Sequence, residues 1–586
     1  MSYVPKKTPA RLNKLATPFI PRWVLVLLAV VYIFAGLGFR DAWKTDDAVG
    51  LATILSFCNE VPAHSWLTTY IGQYPHVDDG PLLIWIGALF VKLFAPLFEL
   101  FNRPLQAQIQ AVRLANFFYI TVLLWCSWHS CRILARRAEA QPLPLPFGGE
   151  PHKTEYSRTI ADCAFFFIIA SIGIVIRMHE TSTAPLIIAV NALTFYGLVL
   201  FLVYPRRACL VFLLGLSASF FARGVVTYIP LFLCGLICLF YPFYSPKRRR
   251  AIALILIFSL LLVALWCWQV HLQNPAWFEL WLSNTAEAFG TQVFRQFAQS
   301  IRDLLWFTWP AWPFAILALY QWRKWWYAPH IFLPLFLVIS HCVLFTVLAE
   351  PFELEFAPII IPIAILASMA LPTLRRGVFN TLDWFSIMIL SLSMVFIWVA
   401  WFAYYTPYIP ELHHNIDRLI QGFEASIHWP AVLCAVVITL IWLLLIVWRL
   451  HAKPTAIWRG VLLAAVGLTS AWCLLLSLWL PAVNYQRSYV ALSADLDRAI
   501  SRHVAPDQCV SSTGLGDGQR ALFYIYKHLQ FSDSLFCPWV LVQTTLPKVR
   551  DELSPFATLG KTVWQGNRSS ERHGEIFQLI SLPSLK

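Results

Sequence analysis

Between residues 23 and 480, apolar runs of roughly 15 to 21 residues recur, nearly all long enough at about 1.5 Å of rise per residue to cross a hydrocarbon core of about 30 Å. Such a chain folds as a mainly α, polytopic membrane protein. Composition agrees: 59% hydrophobic and 13% charged residues, with a mean hydropathy of +0.63, stand far from the roughly 45 to 50% apolar and about 25% charged of soluble domains. A cytosolic enzyme is excluded. The net charge of +13 comes with no Walker loop, zinc finger or basic-aromatic ladder, so no nucleic-acid partner is expected. The 13 cysteines include no C-x-x-C pair, and Cys126, Cys234 and Cys342 lie inside apolar runs, where a thiol behaves as a small hydrophobe.

Charge sets the expected orientation. Lys6, Lys7, Arg11, Lys14 and Arg22 precede or open the first run, 23–40, with no acid among them, which keeps the N-terminus in the cytoplasm. The run lacks an A-x-A-like cleavage site and reads as an uncleaved first span. Further spans are expected at 113–131, 160–176, 185–204, 208–222, 225–244, 251–270, 304–321, 331–348, 357–373, 384–404, 429–448 and 460–480, a total of about thirteen. This register gathers Arg132, Arg136, Arg137, Arg206, Arg207, Lys247 to Arg250, Arg449, Lys453 and Arg459 on the N-terminal side. Arg223-Gly224 splits 208–244. Reading that segment as one span would move Lys247 to Arg250 outside, so two spans are expected. The stretch 81–98, with Lys92, Glu99 and two prolines, suits an interfacial helix.

Two features then fall on the outer side, periplasmic in a Gram-negative inner membrane: a 41–112 loop with juxtamembrane helices, and a tail, 484–586, beyond the transmembrane domain 1–483. The tail reads as an independent small α/β domain, with β-prone segments at Cys509–Ser512, Trp539–Val542, Thr562–Gln565 and Ile576–Ile580 and a helical pattern at Ala491–His503. Cys509 and Cys537 there can pair or stay as buried thiols. Thr513-Gly514-Leu515-Gly516-Asp517-Gly518 has the look of a phosphate-binding loop, but outside the cell it reads as a glycine-rich turn.

The chemistry-bearing residues are mostly acids. Asp46 and Asp47 open a helical pattern after the first span, where Thr45 can cap and carboxylates suit the helix dipole. Tyr74-Pro75-His76-Val77-Asp78-Asp79-Gly80-Pro81-Leu82-Leu83-Ile84-Trp85 follows some thirty residues on. An acidic pair after the first span and then a Pro-Leu-Leu-x-Trp helix resembles the opening of the polyprenyl-phosphate-dependent glycosyltransferases of the GT-C superfamily, in the branch of lipid A aminoarabinose transferases and protein O-mannosyltransferases. Arg177 to Leu186 looks like that branch's Arg...Asp-x-Pro-Leu segment, Phe221-Ala222-Arg223-Gly224 with Pro230 like its Thr-Lys-Gly-Pro segment, and Phe356 to Ala364 like its Tyr-Ile-Leu-Pro...Pro segment. The span count and the outer C-terminal domain also match.

The resemblance implies transfer of a sugar from undecaprenyl phosphate to lipid A or another envelope glycan or protein acceptor, by a monomer in the lipid bilayer. It places catalysis on Asp46, with Asp47 beside it. Polyprenyl phosphate is a good leaving group, so a carboxylate that orients or deprotonates the acceptor and a cation that receives phosphate charge suffice. Arg223, at the position of the family's lysine, and Arg177 are the candidate phosphate-binding residues. The alternative for Arg223 is a snorkelling arginine between two short spans.

Departures from the pattern concern charge. Asp79-Gly80-Pro81 stands where relatives carry Lys-Pro-Pro, Thr183 where they carry an Asp, and Glu350, Glu353 and Glu355 where they carry basic and aromatic residues. Asp78, Asp79, Glu180, Glu353 and Glu355 therefore become candidate substrate-binding residues. They suit a cation, either the ammonium of an amino sugar or a divalent metal, and the absence of compact metal-ligand spacing favours the ammonium, so no cofactor is expected. A lipid or sugar transporter is the competing class; it would show internal repeats and mid-membrane ionisable residues.

Overall fold

The computed structural model describes residues 8–582 except 37, 39, 44, 61–65, 147, 291–292, 350–352, 407, 425, 452–455, 533–536, 546–559 and 569–574. Lys6, Lys7, Glu350 and Lys453 lie outside the described residues, as does the side chain of Glu353. Among the described residues, 9 helices are long and apolar enough to cross a membrane. The number is 10 if Lys153–Ala170 and Ile172–His179, which bend by 73° at their junction, count as one span.

One of the nine, Pro205–Phe240, doubles back on itself. Helical angles fail at Arg223 (φ −152°, ψ 40°) and Gly224 (φ 61°, ψ −144°). Across that break Thr227 Oγ1 donates to Ser219 O at 2.6 Å, Phe220 meets the Tyr228 ring edge-on at 6.1 Å, and a Cβ on Gly235 would lie 3.1 Å from the Phe212 ring. On a straight helix, residues eight apart are separated by about 12 Å. The segment is a helical hairpin, as expected for 208–222 and 225–244, and its tip needs a residue free to take positive φ.

Among the described residues, a count of thirteen full-length spans is not confirmed. The first run is helical only over Arg22–Phe34. The run 304–321 is divided between Val293–Phe307 and Ala311–Gln321, because Pro310 has no N–H to continue the ladder. The 81–98 stretch forms the shorter apolar helix Leu82–Phe98, packed on Pro104–Ala135 and Asp46–Glu60.

Charge sorts the loops into two ends. The N-terminal segment lies along one end, where Arg11 N–H donates to Pro372 O (2.9 Å), Lys14 N–H to Gly149 O (2.8 Å) and Ile457 N–H to Ala16 O (3.2 Å). Arg449 Nε and Arg459 Nε both reach Asp383 Oδ2 at 2.7 Å near that end. At the other end lie the 41–112 loop and the C-terminal unit.

The C-terminal unit holds a four-stranded sheet: Val510–Thr513 pairs in parallel with Trp539–Thr545, which pairs antiparallel with Glu575–Ser581, which pairs antiparallel with Lys561–Gly566. Cys509 and Cys537 are disulfide-bonded. Expected strands and the helix Val490–His503 are all present. The unit is less independent than the sequence suggested. Its second helix, Asp517–Lys527, packs on Asp46–Glu60, and one apolar core runs from Leu541 and Phe577 through Leu522 and Phe523 to Leu51 and Ile54.

Candidate active site

Three close approaches bring the acidic loop, the hairpin tip and the 177–183 segment together. Gly50 of helix Asp46–Glu60 lies against Thr181, whose carbonyl would be 2.2 Å from a Cβ there. Gly80 lies equally close to the Phe221 carbonyl (2.2 Å) and donates its N–H to Ala222 O at 2.9 Å. The missing side chain at Gly80 thus lets the loop seat on the hairpin beside Arg223. Leu354 closes the pocket from the short helix Glu353–Phe356.

Asp46 and Asp47 are adjacent in the helix's first turn but differ in environment. Asp47, 2% exposed, accepts from Arg40 Nη2 (2.7 Å), Trp43 N–H (3.0 Å) and Thr181 N–H (2.6 Å). Its carboxylate ties the helix N-terminus to the 177–183 segment. Asp46 faces a cavity of about 260 Å³ and takes one contact from Arg177 Nη1 at 2.7 Å. The same nitrogen holds Glu180 at 2.9 Å. Burial, with Asp46 and Asp47 close by and Arg177 opposing, pushes the Glu180 carboxyl up to about 7.

Arg223 reaches the cavity from the hairpin tip. Its Nη2 is 3.3 Å from Glu355 Oε1, and Asp79, Asp78 and Asp46 surround it at longer range. Asp78 accepts from Asn284 Nδ2 at 2.7 Å. The structure therefore brings Asp46, Asp78, Asp79 and Arg223 to one pocket, with Glu355 paired to Arg223 beside it, Arg177 and Glu180 behind Asp46, and Asp47 in the scaffold.

Two residues of this pocket were not singled out by the sequence. His76, 4% exposed, places Nδ1 2.9 Å from Asp517 Oδ2 and Nε2 3.4 Å from Asp79 Oδ2. Two carboxylate acceptors require a hydrogen on each ring nitrogen, so the ring is an imidazolium. Burial opposes that charge, but the bonds and charges of Asp517 and Asp79 outweigh it and raise His76 to about 10. Burial likewise opposes ionisation of Asp79, and His76 and Arg223 nevertheless hold its carboxyl below the usual range. Asp517 comes from the glycine-rich turn of the C-terminal unit, where Gly514 (φ 78°) turns strand Val510–Thr513 into helix Asp517–Lys527. Gly516 to Gln519 line the same pocket.

His76, Asp78 and Asp517 each offer one ligand atom, all within 4.8 Å of one another, and form the group able to hold a metal among the described residues. One imidazole and two carboxylates suit a divalent ion by donor type. To serve, His76 would first have to give up a ring proton that it now donates to a carboxylate.

No family model matches the sequence, and no curated protein matches it. Among solved structures the chain is similar to ArnT from Cupriavidus metallidurans bound to undecaprenyl phosphate, with a TM-score of 0.65, 13% identity and coverage of 96% of this chain and 98% of that one. It is similar to the same protein in the apo state, with a TM-score of 0.63, 13% identity and coverage of 95% and 97%. Likeness over nearly both whole chains establishes a shared fold: a polytopic helical bundle with a C-terminal unit of mixed strands and helices.

Proposed function

We propose that this chain is an inner-membrane glycosyltransferase that takes a sugar from undecaprenyl phosphate and passes it to an acceptor at the outer face. The observation that carries the reading is the pocket between the 41–112 loop, the hairpin tip and the C-terminal unit, where the half-exposed carboxylate of Asp46 shares a cavity with Arg223. The fold shared with a protein whose structure holds undecaprenyl phosphate supports it.

In this reading the donor phosphate lies on Arg223, which receives the charge that develops as the sugar–oxygen bond breaks. Asp46 orients the acceptor or takes its proton, while Arg177, shared with Glu180, sets how tightly that carboxylate is held. Asp47 is a positioning residue. The surplus of acids around the cavity, Asp46, Asp78, Asp79, Asp517 and Glu355, favours an amino sugar whose ammonium they accept, and lipid A phosphate as the acceptor. The basic end and the N-terminus face the cytoplasm by the positive-inside rule, and 484–586 is the outer domain.

The test is incubation of the purified protein in vesicles with a radiolabelled undecaprenyl-phosphate sugar and outer-membrane lipid. Label appearing on the lipid supports the reading. Label crossing the vesicle without transfer makes the protein a transporter.

A further inference from the structure

Helix Pro104–Ala135 carries Thr121, Trp125, His129 and Arg132 at helical spacing on one face, with Arg136 just beyond its end. The apolar part of this stripe forms one wall of a cavity of about 410 Å³, closed by Leu25, Ala29 and Ile33 of helix Arg22–Phe34, with Arg22 at its base. The other part enters a cavity of about 490 Å³ that gathers Arg132, Arg136, Arg137 and Arg207 with Tyr196 and Tyr204. Trp125 and His129 line both cavities, so the apolar groove and the basic pocket adjoin at this pair.

Among the described residues, Arg137 has a carboxylate partner and the other guanidiniums there do not. Glu139 is committed to Arg137 at 3.1 Å, and Asp162, 2% exposed, accepts from Trp128 Nε1 at 2.8 Å. Arg22, Arg136 and Arg158 all act on Arg132, with Asp162 the acid among them. Among the described residues Arg22, Arg132, Arg136 and Arg207 form no ion pair with a carboxylate. Instead Arg132 lies over the Trp128 ring (5.2 Å) and Arg207 over Tyr204 (5.6 Å), arrangements that fix a guanidinium while leaving its N–H groups free to donate. The bias of basic residues toward one side of a membrane explains their sign. It does not explain their convergence on a cavity that adjoins an apolar groove.

We propose that this groove and pocket bind an anionic phospholipid whose headgroup carries two phosphates, the acyl chains lying along Trp125, Leu25 and Ile33 and the phosphates between Arg132, Arg136, Arg207 and Arg22. The site lies at the basic end, on the far side of the bundle from the Asp46 pocket, and is independent of the reaction proposed there.

Native mass spectrometry of the delipidated full-length protein tests it, with cardiolipin and phosphatidylethanolamine of the same acyl chains as probes. Cardiolipin is expected to bind about tenfold or more tightly than the zwitterionic lipid. The Arg132→Gln/Arg136→Gln/Arg207→Gln protein is expected to lose that preference, and Lys247→Gln/Arg248→Gln/Arg250→Gln, at the same end but off the cavities, to keep it. Should the triple groove variant not fold, Arg207→Gln alone, at an exposed position, carries the test with a severalfold loss. Equal binding of the two lipids, an unchanged preference in the groove variants, or an equal loss in the off-groove variant overturns the proposal. So does displacement of cardiolipin by an equal amount of undecaprenyl phosphate.

Discussion

Asp517 Oδ2 lies 2.9 Å from His76 Nδ1, joining residues 441 positions apart and fastening the C-terminal unit to the wall of the candidate active site. With one partner buried and the other partly exposed, the pair is expected to couple by about 1 to 2 kcal/mol. A double-mutant cycle of His76→Ala and Asp517→Ala, read by thermal unfolding, measures it. Additive losses would detach the unit from the pocket. Asp517→Asn is also expected to slow transfer, since the turn that carries it lines the cavity.

Asp46→Asn is expected to lower turnover by roughly a hundredfold while donor affinity stays near normal, because the carboxylate acts mainly in the transition state. Arg223→Ala should instead weaken donor binding by about ten- to a hundredfold, since phosphate is present in ground and transition states alike. Steady-state kinetics with donor-binding titrations separate the two. Unchanged turnover in Asp46→Asn removes that residue from the mechanism.

The Asp46–Arg177–Glu180 line predicts a pH dependence. Below about 7 Glu180 is neutral and Arg177 acts on Asp46 alone, holding its carboxylate away from an acceptor. Above it Glu180 ionises, shares Arg177 and releases Asp46. Turnover is therefore expected to rise with pH through about 7, with little change in KM. Glu180→Gln should remove that inflection and stay on the slow plateau. A profile that keeps its inflection in the variant assigns it to another group.

An ammonium held by the acids of the pocket predicts that an amino-sugar donor outcompetes its N-acetylated counterpart by roughly ten- to a hundredfold, at about 1.4 kcal/mol per tenfold. EDTA should change transfer by no more than about twofold. Loss of activity on chelation with rescue by manganese would hand the acids, with His76, to a metal.

Alkaline phosphatase fused at Gln73 should be active and at Arg248 inactive, if the basic end is cytoplasmic. The opposite result inverts the orientation and with it the face on which the acceptor must arrive.

Which parts of this molecule were legible in the sequence follows from how local the signal is. The hairpin at Arg223-Gly224 was readable because charge on either side fixed the parity of the spans. That Asp46 and Arg223 would line one pocket was readable because each sits in a motif with its own spacing. The length of the first span was not, since helix ends depend on packing that apolar runs do not encode. The division of labour between Asp46 and Asp47 was also hidden, because it rests on Arg40 and Thr181, which meet Asp47 only in three dimensions. His76 stood in a quoted motif, but its role needs Asp517, and nothing in a glycine-rich turn names the distant loop it will meet.

The N-terminal strip has a consequence for the order of assembly. Trp458 Nε1 donates to Pro18 O across 440 residues, and Ile457 N–H to Ala16 O beside it. The carbonyls of Ala16 and Pro18 in the first segment made therefore wait for one of the last helices before they find their partners. His76 waits in the same way for Asp517. Both ends of the bundle are thus closed by chain that leaves the ribosome last. A truncated nascent chain has an open membrane bundle and an incomplete pocket together, so a protease that recognises the first defect also removes any partly built catalyst.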